Sequence, residues 1–200
     1  MNVIILGGFL GSGKTTALMQ FARYLTDISD PNRKMKVVII ENEIGEVGID
    51  DQFLRGGGFT VDNLFAGCAC CTVSGELVTS LLQIQSEMDP EWMIIETTGI
   101  AFPKSMQENL KEAIDMDSVI TVLVDASRWM RLRKPMASLL NDQLKGSHTV
   151  LINKIDLVTE DILLEVENDI QGLEPGANTI RISAASEVPK EIWRKVAGLE

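Results

Sequence analysis

A glycine-rich stretch near the start of the chain constrains the fold more than any other feature. Residues 8–15 read Gly-Phe-Leu-Gly-Ser-Gly-Lys-Thr, which fits the pattern Gly-x4-Gly-Lys-Ser/Thr. An apolar run precedes them at residues 3–6, and a helical pattern follows from residue 14 to about residue 25. Glycines let the backbone N–H groups of such a loop converge on phosphate oxygens, and the helix N-terminus adds its positive end. The stretch therefore predicts a phosphate-binding loop between the first strand and the first helix.

The side chains of this loop have separate predicted roles. Lys14 is expected to reach the β- and γ-phosphates of a nucleotide and so to act in catalysis, and the Thr15 hydroxyl is expected to bind magnesium. The predicted nucleotide contacts in this region are Gly8, Gly11, Ser12, Gly13, Lys14, Thr15 and Thr16.

The rest of the chain alternates short apolar runs with helical patterns. The runs lie at residues 36–40, 92–95, 119–124, 149–152 and 179–182, and the helical patterns at residues 74–88, 104–114, 130–144, 160–171 and 189–196. Residues 41–65 are predicted to be irregular. Continuous apolar strands that alternate with helices are typical of a parallel sheet covered on both faces. The sequence predicts one α/β domain over residues 1–200, with a doubly wound, mostly parallel sheet, helices on both faces and no second C-terminal domain.

A second polar motif follows the predicted strand at residues 149–152. It reads Asn153-Lys154-Ile155-Asp156. A carboxylate at Asp156 can accept from two adjacent donors of guanine, and adenine offers no such pair on that edge, so the contact discriminates between the bases. Asn153 can hold the loop and the purine, and the stem of Lys154 can cover the ring. After the next strand, Ser183 and Ala184 are expected to add contacts to the base.

Carboxylates at strand ends are candidates for work near the γ-phosphate. Glu96 ends the predicted strand at residues 92–95, where a carboxylate of a phosphate-loop protein acts on magnesium, directly or through water. Gly99 would let a backbone N–H approach the γ-phosphate. Further acidic candidates, each of which could equally be a solvated surface charge, are Glu41 as a magnesium ligand, Glu43 as a catalytic residue, Asp50 and Asp51. Candidates for an arginine that stabilises the transition state are Arg55, Arg128, Arg131 and Arg133.

The cysteines form one cluster, Cys68, Cys70 and Cys71, and the chain has three in all. An odd number without an export signal favours free thiols in a reducing compartment. Thiolates bind zinc and other soft or borderline ions, and three of them leave a coordination position open, which suits transfer of a metal. The alternative is that they are small buried apolar side chains. His148 precedes a strand and is assigned a structural role rather than a ligand role.

Charge and hydropathy exclude some partners. The formal net charge is −11, and no basic cluster is present, which argues against binding of nucleic acid or anionic membrane. No apolar stretch reaches the length of a membrane span of about 18 residues.

Four stretches together resemble a known family. They are residues 8–16, residues 41–50 (Glu-Asn-Glu-Ile-Gly-Glu-Val-Gly-Ile-Asp), residues 67–72 (Gly-Cys-Ala-Cys-Cys-Thr) and residues 94–99 (Ile-Ile-Glu-Thr-Thr-Gly). The chain resembles the nucleotide-binding domain of the CobW/HypB/UreG family of P-loop GTPases, specifically its CobW-type branch. The resemblance implies a P-loop NTPase fold and a cytoplasmic GTPase that couples GTP hydrolysis to delivery or insertion of zinc or cobalt, with nickel less favoured. It also implies dimerisation around nucleotide and a metal site at the Cys-x-Cys-Cys stretch.

The chain departs from that family pattern at several positions. Phe102 stands where the family commonly has aspartate before proline, and Ile44 stands where phenylalanine is common. Neither the Cys-Pro-His motif of the urease-accessory branch nor a histidine-rich leader is present. The absence of these two motifs favours the CobW-type branch over the nickel-handling branches.

The sequence thus predicts a slow, magnesium-dependent GTPase that acts as a metallochaperone or as a metal-insertion or cobalamin-related maturation factor. Its client would be a metalloprotein or a cobalamin-related enzyme. The alternative is a nucleotide-gated regulatory or activation partner of a metallo- or corrinoid enzyme that transfers no metal. A small-molecule kinase is disfavoured by Asn153–Asp156.

Overall fold

The computed structural model describes residues 1–32, 36–41, 60–63 and 75–199. For residues 41, 60–63, 75 and 76 the description covers the backbone alone.

The strands of the described chain form one seven-stranded sheet in the order β3-β2-β4-β1-β5-β6-β7. All of its pairs are parallel. The central strands are continuous runs of buried apolar residues, because both faces of a parallel sheet are covered. The strands are β1 Asn2–Gly8, β2 Val37–Glu41, β3 Thr60–Asn63, β4 Trp92–Glu96, β5 Val119–Asp125, β6 Thr149–Asn153 and β7 Asn178–Arg181.

Helices of the described chain cover both faces of the sheet. One core cluster includes Leu81, Leu110 and Val166, which belong to three different helices. The other includes Phe21 and Trp193, whose rings lie 5.4 Å apart. The doubly wound α/β prediction is therefore confirmed. The helices are α1 Lys14–Ile28, α2 Gly75–Met88, α3 Pro103–Ile114, α4 Trp129–Arg133, α5 Ala137–Leu144, α6 Glu160–Leu173 and α7 Lys190–Val196.

Two sequence predictions about the elements were wrong. Residues 130–144 were predicted as one helix, but they form α4 and α5 with a break between them. Pro135 lies in the break, and proline cannot donate the hydrogen bond that would continue the helix. Residues 41–65 were predicted to be irregular, but Thr60–Asn63 pairs with β2 as an edge strand. Among the described helices, none is long and apolar enough to cross a membrane.

Candidate functional site

The polar motifs lie at the carboxyl ends of the central strands. β1 pairs with β4 on one side and with β5 on the other, and β6 lies beyond β5. The phosphate loop follows β1, Glu96 ends β4, Asp125 ends β5 and Asn153 ends β6. The order of strands reverses at β1, and ligands of open α/β sheets bind at such a position. The fold therefore brings these motifs to one crevice.

The phosphate loop depends on glycine at two positions where backbones approach closely. Gly13 precedes α1 with a φ of 97°, and a Cβ placed there would lie 2.4 Å from Asn153 Nδ2. Gly8 has a φ of 138°, and a Cβ there would lie 2.4 Å from the Leu123 carbonyl oxygen. Side chains are excluded by the contacts and by the backbone conformation. The loop can therefore curl tightly against β5 and β6.

The polar groups of the loop fit a phosphate. The buried Lys14 donates from Nζ to the Gly8 carbonyl at 3.1 Å, so the ammonium group is held over the loop. Ser12 is 1% exposed, and its hydroxyl has no hydrogen-bond partner within the described chain. A buried hydroxyl without a partner is costly unless a ligand or water supplies one. Both groups are suited to a bound nucleotide phosphate.

The end of β4 provides hard oxygen atoms beside the loop. Glu96 is 4% exposed, and it accepts a hydrogen bond from Thr15 Oγ1 to Oε1 at 3.4 Å. Mg²⁺ prefers such oxygen ligands and takes few of them from protein when phosphates supply others. The pair therefore fits a magnesium ion. Gly99 lies beyond it, with its carbonyl held by Gln143 Nε2 at 2.8 Å.

The Asn153–Asp156 motif is bound to the phosphate loop by one buried side chain. Asn153 is 2% exposed and donates from Nδ2 to the Ser12 carbonyl at 2.8 Å. Its Oδ1 accepts from the backbone N–H of Lys154 at 2.8 Å and of Ala184 at 2.9 Å. Both polar atoms of the amide are therefore hydrogen-bonded. These bonds fix the distance between the phosphate loop and the loop that contains Ala184.

Asp156 lies in a short 3-10 helix, Ile155–Leu157, on the exposed side of the motif. The Ser183 hydroxyl donates to Asp156 Oδ1 at 2.5 Å, which orients the carboxylate. Thr16 is exposed on the first turn of α1. Most of the predicted nucleotide contacts thus lie around the crevice. Asn153 binds the loop directly at Ser12, and Ala184 is connected to the loop through Asn153.

Gln20 was missed by sequence reasoning. Its Nε2 donates to the carbonyls of Ala184 at 3.0 Å and of Ser186 at 2.9 Å, and its Oε1 accepts from the Val188 N–H at 2.9 Å. One amide on α1 therefore holds the loop that follows β7. No sequence signal distinguishes this residue from any other polar residue on a helix.

Asp125 was also missed as a site residue, although the sequence places it at a strand end as it does Glu96. Asp125 is 6% exposed and accepts from Lys154 Nζ and Arg128 Nε, both at 2.8 Å, and from the hydroxyl of Ser127 at 2.6 Å. Burial works to raise the pKa of its carboxylate, but the hydrogen bonds and charges of its partners outweigh burial and hold the pKa below its ordinary value. Asp125 is therefore an ionised carboxylate beside the loop.

Two of the candidate arginines are engaged in contacts. Arg128 binds Asp125 and also donates from Nη2 to the Leu10 carbonyl. Arg133 donates from Nε to Asp169 Oδ2 at 2.7 Å. Both side chains therefore hold elements together in this conformation.

Several predicted residues lie outside the described part of the chain. They are Glu43, Asp50, Asp51, Arg55, Cys68, Cys70 and Cys71, together with the side chain of Glu41. In the ranges that are described, no group of three or more histidine, cysteine or acidic residues could hold a metal ion. His148 Nδ1 lies 3.1 Å from Thr149 Oγ1 at the amino end of β6, away from the crevice, a contact that suits the structural role predicted for it.

Fold and site together define a P-loop protein whose loop is bound by the Asn153–Asp156 motif. The profile of the CobW/HypB/UreG nucleotide-binding domain matches residues 2–181. The chain belongs to this family, as its sequence motifs predicted, and members of the family are P-loop GTPases.

Two relatives indicate where in the family the chain lies. It is 30% identical to a zinc-regulated GTPase metalloprotein activator of Dictyostelium discoideum, over 96% of this chain and 48% of that protein. It is also 30% identical to the zinc chaperone CobW of Pseudomonas aeruginosa, over 94% of this chain and 58% of that protein. The chain therefore spans about half the length of these curated relatives.

Solved structures share the fold. Zn(II)-bound YjiA GTPase from E. coli superposes with a TM-score of 0.66 at 21% identity, covering 100% of this chain and 63% of that one. HypB from Helicobacter pylori, solved in complex with nickel, superposes with a TM-score of 0.64 at 20% identity, covering 99% of this chain and 84% of that one.

Proposed function

We propose that this chain is the GTP-binding and GTP-hydrolysing domain of a protein that delivers zinc. The observation that carries the proposal is the single buried amide of Asn153, which bonds both the phosphate loop at Ser12 and the base loop at Ala184. A phosphate site and a purine site held at fixed spacing suit one nucleotide that spans both.

Guanine is the proposed base. The Asp156 carboxylate lies on the exposed side of the motif, where it can accept from the ring N–H and the exocyclic amine of guanine. Ser183 donates to one of its oxygens, which limits the rotation of the carboxylate. Adenine would leave the carboxylate without two matched donors, and such a mismatch is costly.

Hydrolysis is assigned to the other end of the crevice. The ammonium group of Lys14 moves from the Gly8 carbonyl to the phosphate oxygens, and Thr15 and Glu96 hold the position for magnesium. A bound magnesium ion would neutralise charge that develops on the phosphates. Glu96 also orients the attacking water. Glu43 remains a predicted catalytic residue and Glu41 a predicted magnesium ligand.

Zinc is the proposed cargo, and Cys68, Cys70 and Cys71 are its proposed ligands. The support comes from the thiolate chemistry of these residues and from the names of the relatives, which are a zinc-regulated activator and a zinc chaperone. Cobalt is the second choice of metal, and nickel is less favoured. The client would be a metalloprotein or a cobalamin-related enzyme, the location the cytoplasm, and the active form a homodimer assembled around nucleotide.

The second candidate is a nucleotide-gated regulatory partner that transfers no metal. It is favoured by the nucleotide site itself, since the contacts of Asn153 with Ser12 and Ala184 need no metal at the cysteines. The two functions differ in one measurable respect, which is whether metal and nucleotide change each other's affinity.

The test is a titration of the chain with cobalt as a spectroscopic substitute for zinc, with and without Mg·GTP. We expect thiolate charge-transfer absorption from one ion, and a roughly 5–150-fold change in metal affinity when GTP is bound. The matched control changes Cys68, Cys70 and Cys71 together to serine, and it should lose the absorption while GTP turnover persists. No absorption and no effect of zinc on GTP turnover would exclude metal delivery and leave the regulatory function.

A further inference from the structure

Three successive carbonyl groups of the phosphate loop each accept a hydrogen bond from a different side chain. The pairs, donor first, are Arg128 Nη2 to Leu10, Lys154 Nζ to Gly11 at 2.8 Å and Asn153 Nδ2 to Ser12 at 2.8 Å. The donors come from the ends of the neighbouring strands β5 and β6. Three adjacent carbonyls of the loop are therefore bound by donors that lie at or just beyond the ends of β5 and β6.

Asp125 connects two of these donors. Its Oδ2 accepts from Arg128 Nε and from Lys154 Nζ, both at 2.8 Å. Its Oδ1 accepts from the N–H of Ser127 at 3.0 Å and from the hydroxyl of the same residue at 2.6 Å. Four donors hold the carboxylate, and in β5–β6 register Asp125 lies directly opposite Asn153. Asp125 is thus the common anchor of two side chains that hold the loop.

We infer that Asp125 and Arg128 are positioning residues that set the phosphate-binding conformation of the loop. The inference rests on the proposed function, because it concerns the same nucleotide site. The C=O and N–H of a planar trans peptide point in opposite directions. With the Leu10 carbonyl bound to Arg128, the N–H of Gly11 is turned to the opposite side of that peptide, where a phosphate can accept from it.

Side-chain packing contributes little to this orientation. Leu10 is 71% exposed, and its close neighbour at the tip of the loop is Gly99, which has no side chain to hold it. Gly11 has a φ of 72°. Glycine permits this conformation but does not restrict the backbone to it. The hydrogen bond from Arg128 therefore orders the loop before the nucleotide binds. Because an ordered loop loses less conformational entropy on binding, the nucleotide binds more tightly.

A second arginine provides a matched control. Arg133 belongs to α4, which begins directly after Arg128, and it too donates from Nε to a carboxylate, that of Asp169 at 2.7 Å. Asp169 also accepts from Trp129 Nε1 at 2.7 Å and joins α4 to α6. Within the described chain, Arg133 binds Asp169, and Asp169 binds Trp129 rather than the loop, so the two ion pairs differ in this respect.

The experiment compares Arg128→Met with Arg133→Met by competition of GDP and ADP against a fluorescent guanine nucleotide. Arg128→Met should weaken GDP and ADP by the same factor, on the order of tenfold, because both nucleotides present the same phosphates to the loop. Arg133→Met should leave both affinities within about twofold while lowering the midpoint of thermal unfolding. Asp125→Asn should weaken GDP further than Arg128→Met does and also reduce the preference for GDP over ADP, because Lys154 loses its anchor too.

The possible outcomes of this experiment distinguish a failure of this inference from a failure of the proposed function. If the unmodified chain binds GDP tightly and Arg128→Met binds it equally well, the loop needs no such anchor and the inference is wrong, while the GTPase assignment stands. Equal losses in Arg128→Met and Arg133→Met would also overturn it, because the effect would then come from α4 as a whole. Absence of guanine-nucleotide binding in the unmodified chain would overturn both. Arg128 is about one-third exposed at 32%, so its replacement by methionine should not prevent folding.

Discussion

A charge cluster lies at each end of β5, and the two clusters are chemical opposites. At the carboxyl end, one carboxylate, Asp125, binds the two cations Arg128 and Lys154. At the amino end, one cation, Lys111, binds the two carboxylates Asp115 and Asp117, at 2.6 and 3.0 Å. The contact distances are similar, so distance does not distinguish them.

Burial and backbone contacts distinguish them. The side chain of Asp125 is 5% exposed, whereas those of Asp115 and Asp117 are 89% and 88% exposed. Hydrogen bonding to Asp115, and then to Asp117, raises the pKa of Lys111, and the same contact with Lys111 lowers the pKa of Asp115. Water and salt screen such exposed pairs, so they contribute little to stability. The cations at the carboxyl end, in contrast, reach the carbonyls of the phosphate loop, and this is why one cluster is part of a site and the other is a feature of the surface.

The largest expected effect is on GTP turnover, and it should separate the phosphate-loop side of the sheet from the amino end of β5. Lys14→Ala should lower GTP turnover by roughly a thousandfold or more, because the ammonium group meets charge that develops in the transition state. Lys111→Ala removes the same kind of side chain from the amino end and should leave turnover unchanged. GTP hydrolysis assays beside circular dichroism would check both, and normal turnover in folded Lys14→Ala would contradict the assignment of the loop.

A separation of binding from chemistry is expected at Glu96. Glu96→Gln should lower turnover by roughly a hundredfold while nucleotide affinity changes by only a few-fold, since its charge acts on magnesium and water at the γ-phosphate. Single-turnover rates and equilibrium binding measured on the same preparation give the comparison. Unimpaired turnover would mean that Glu41, Glu43 or Asp50, rather than Glu96, acts on magnesium and water at the γ-phosphate.

The base end of the crevice should respond in selectivity rather than in rate. Asp156→Asn should reduce the preference for guanine over adenine nucleotides by roughly tenfold or more, because an amide cannot accept from both donors as the carboxylate does. Competition binding with GDP and ADP provides the ratio. A ratio that does not change would mean that another group recognises the base.

The smallest expected effect concerns acid stability, and it compares the two ends of β5 directly. The native pKa of Asp125 is depressed, so its contribution to stability is present above the unfolded value of about 3.9 and is lost as pH falls through the native pKa. Asp125→Asn should therefore be less stable than the unmodified chain at neutral pH, by about 1–2 kcal/mol after allowance for solvent screening. The difference in stability should narrow below about pH 4, where the carboxylate of the unfolded chain becomes protonated, and it should close as pH falls below the native pKa.

Asp115→Asn is the matched substitution at the amino end. It should cause no measurable change at any of these pH values in 0.15 M salt, because its carboxylate is fully exposed to solvent. Urea unfolding at pH 7 and pH 3 would measure both variants. Equal losses in Asp115→Asn and Asp125→Asn would mean that burial is not what separates the clusters.

Local pattern was sufficient to predict the parts of the site that lie on one stretch of chain. The strand, loop and helix around Gly8 and Lys14 follow from apolar runs and glycine spacing, and Asn153–Asp156 follows from its place after a late strand. Their proximity follows from the rule that ligands bind at the carboxyl ends of parallel strands. The fold class and the family could be predicted for the same reason.

Contacts that depend on pairing between distant elements could not be predicted. Gln20 bonds a loop more than 160 positions away, at Ala184 and Ser186. The three side chains that bind the loop carbonyls are neighbours because Asp125 and Asn153 lie opposite each other in the β5–β6 register. That register depends on two distant strands, so it cannot be predicted from either segment alone. Thr60–Asn63 was missed because this edge strand has one apolar residue, Val61, and so lacks the apolar run that marks a buried strand.

The measurement that tests the central claim most directly is the ratio of dissociation constants for ADP and GDP, with magnesium, for the unmodified chain. A phosphate loop joined to a guanine-specific carboxylate should bind GDP at least about a hundredfold more tightly than ADP. Equal affinity for the two nucleotides would contradict the account, since the phosphate loop would then act without the recognition that Asn153 and Asp156 are proposed to provide.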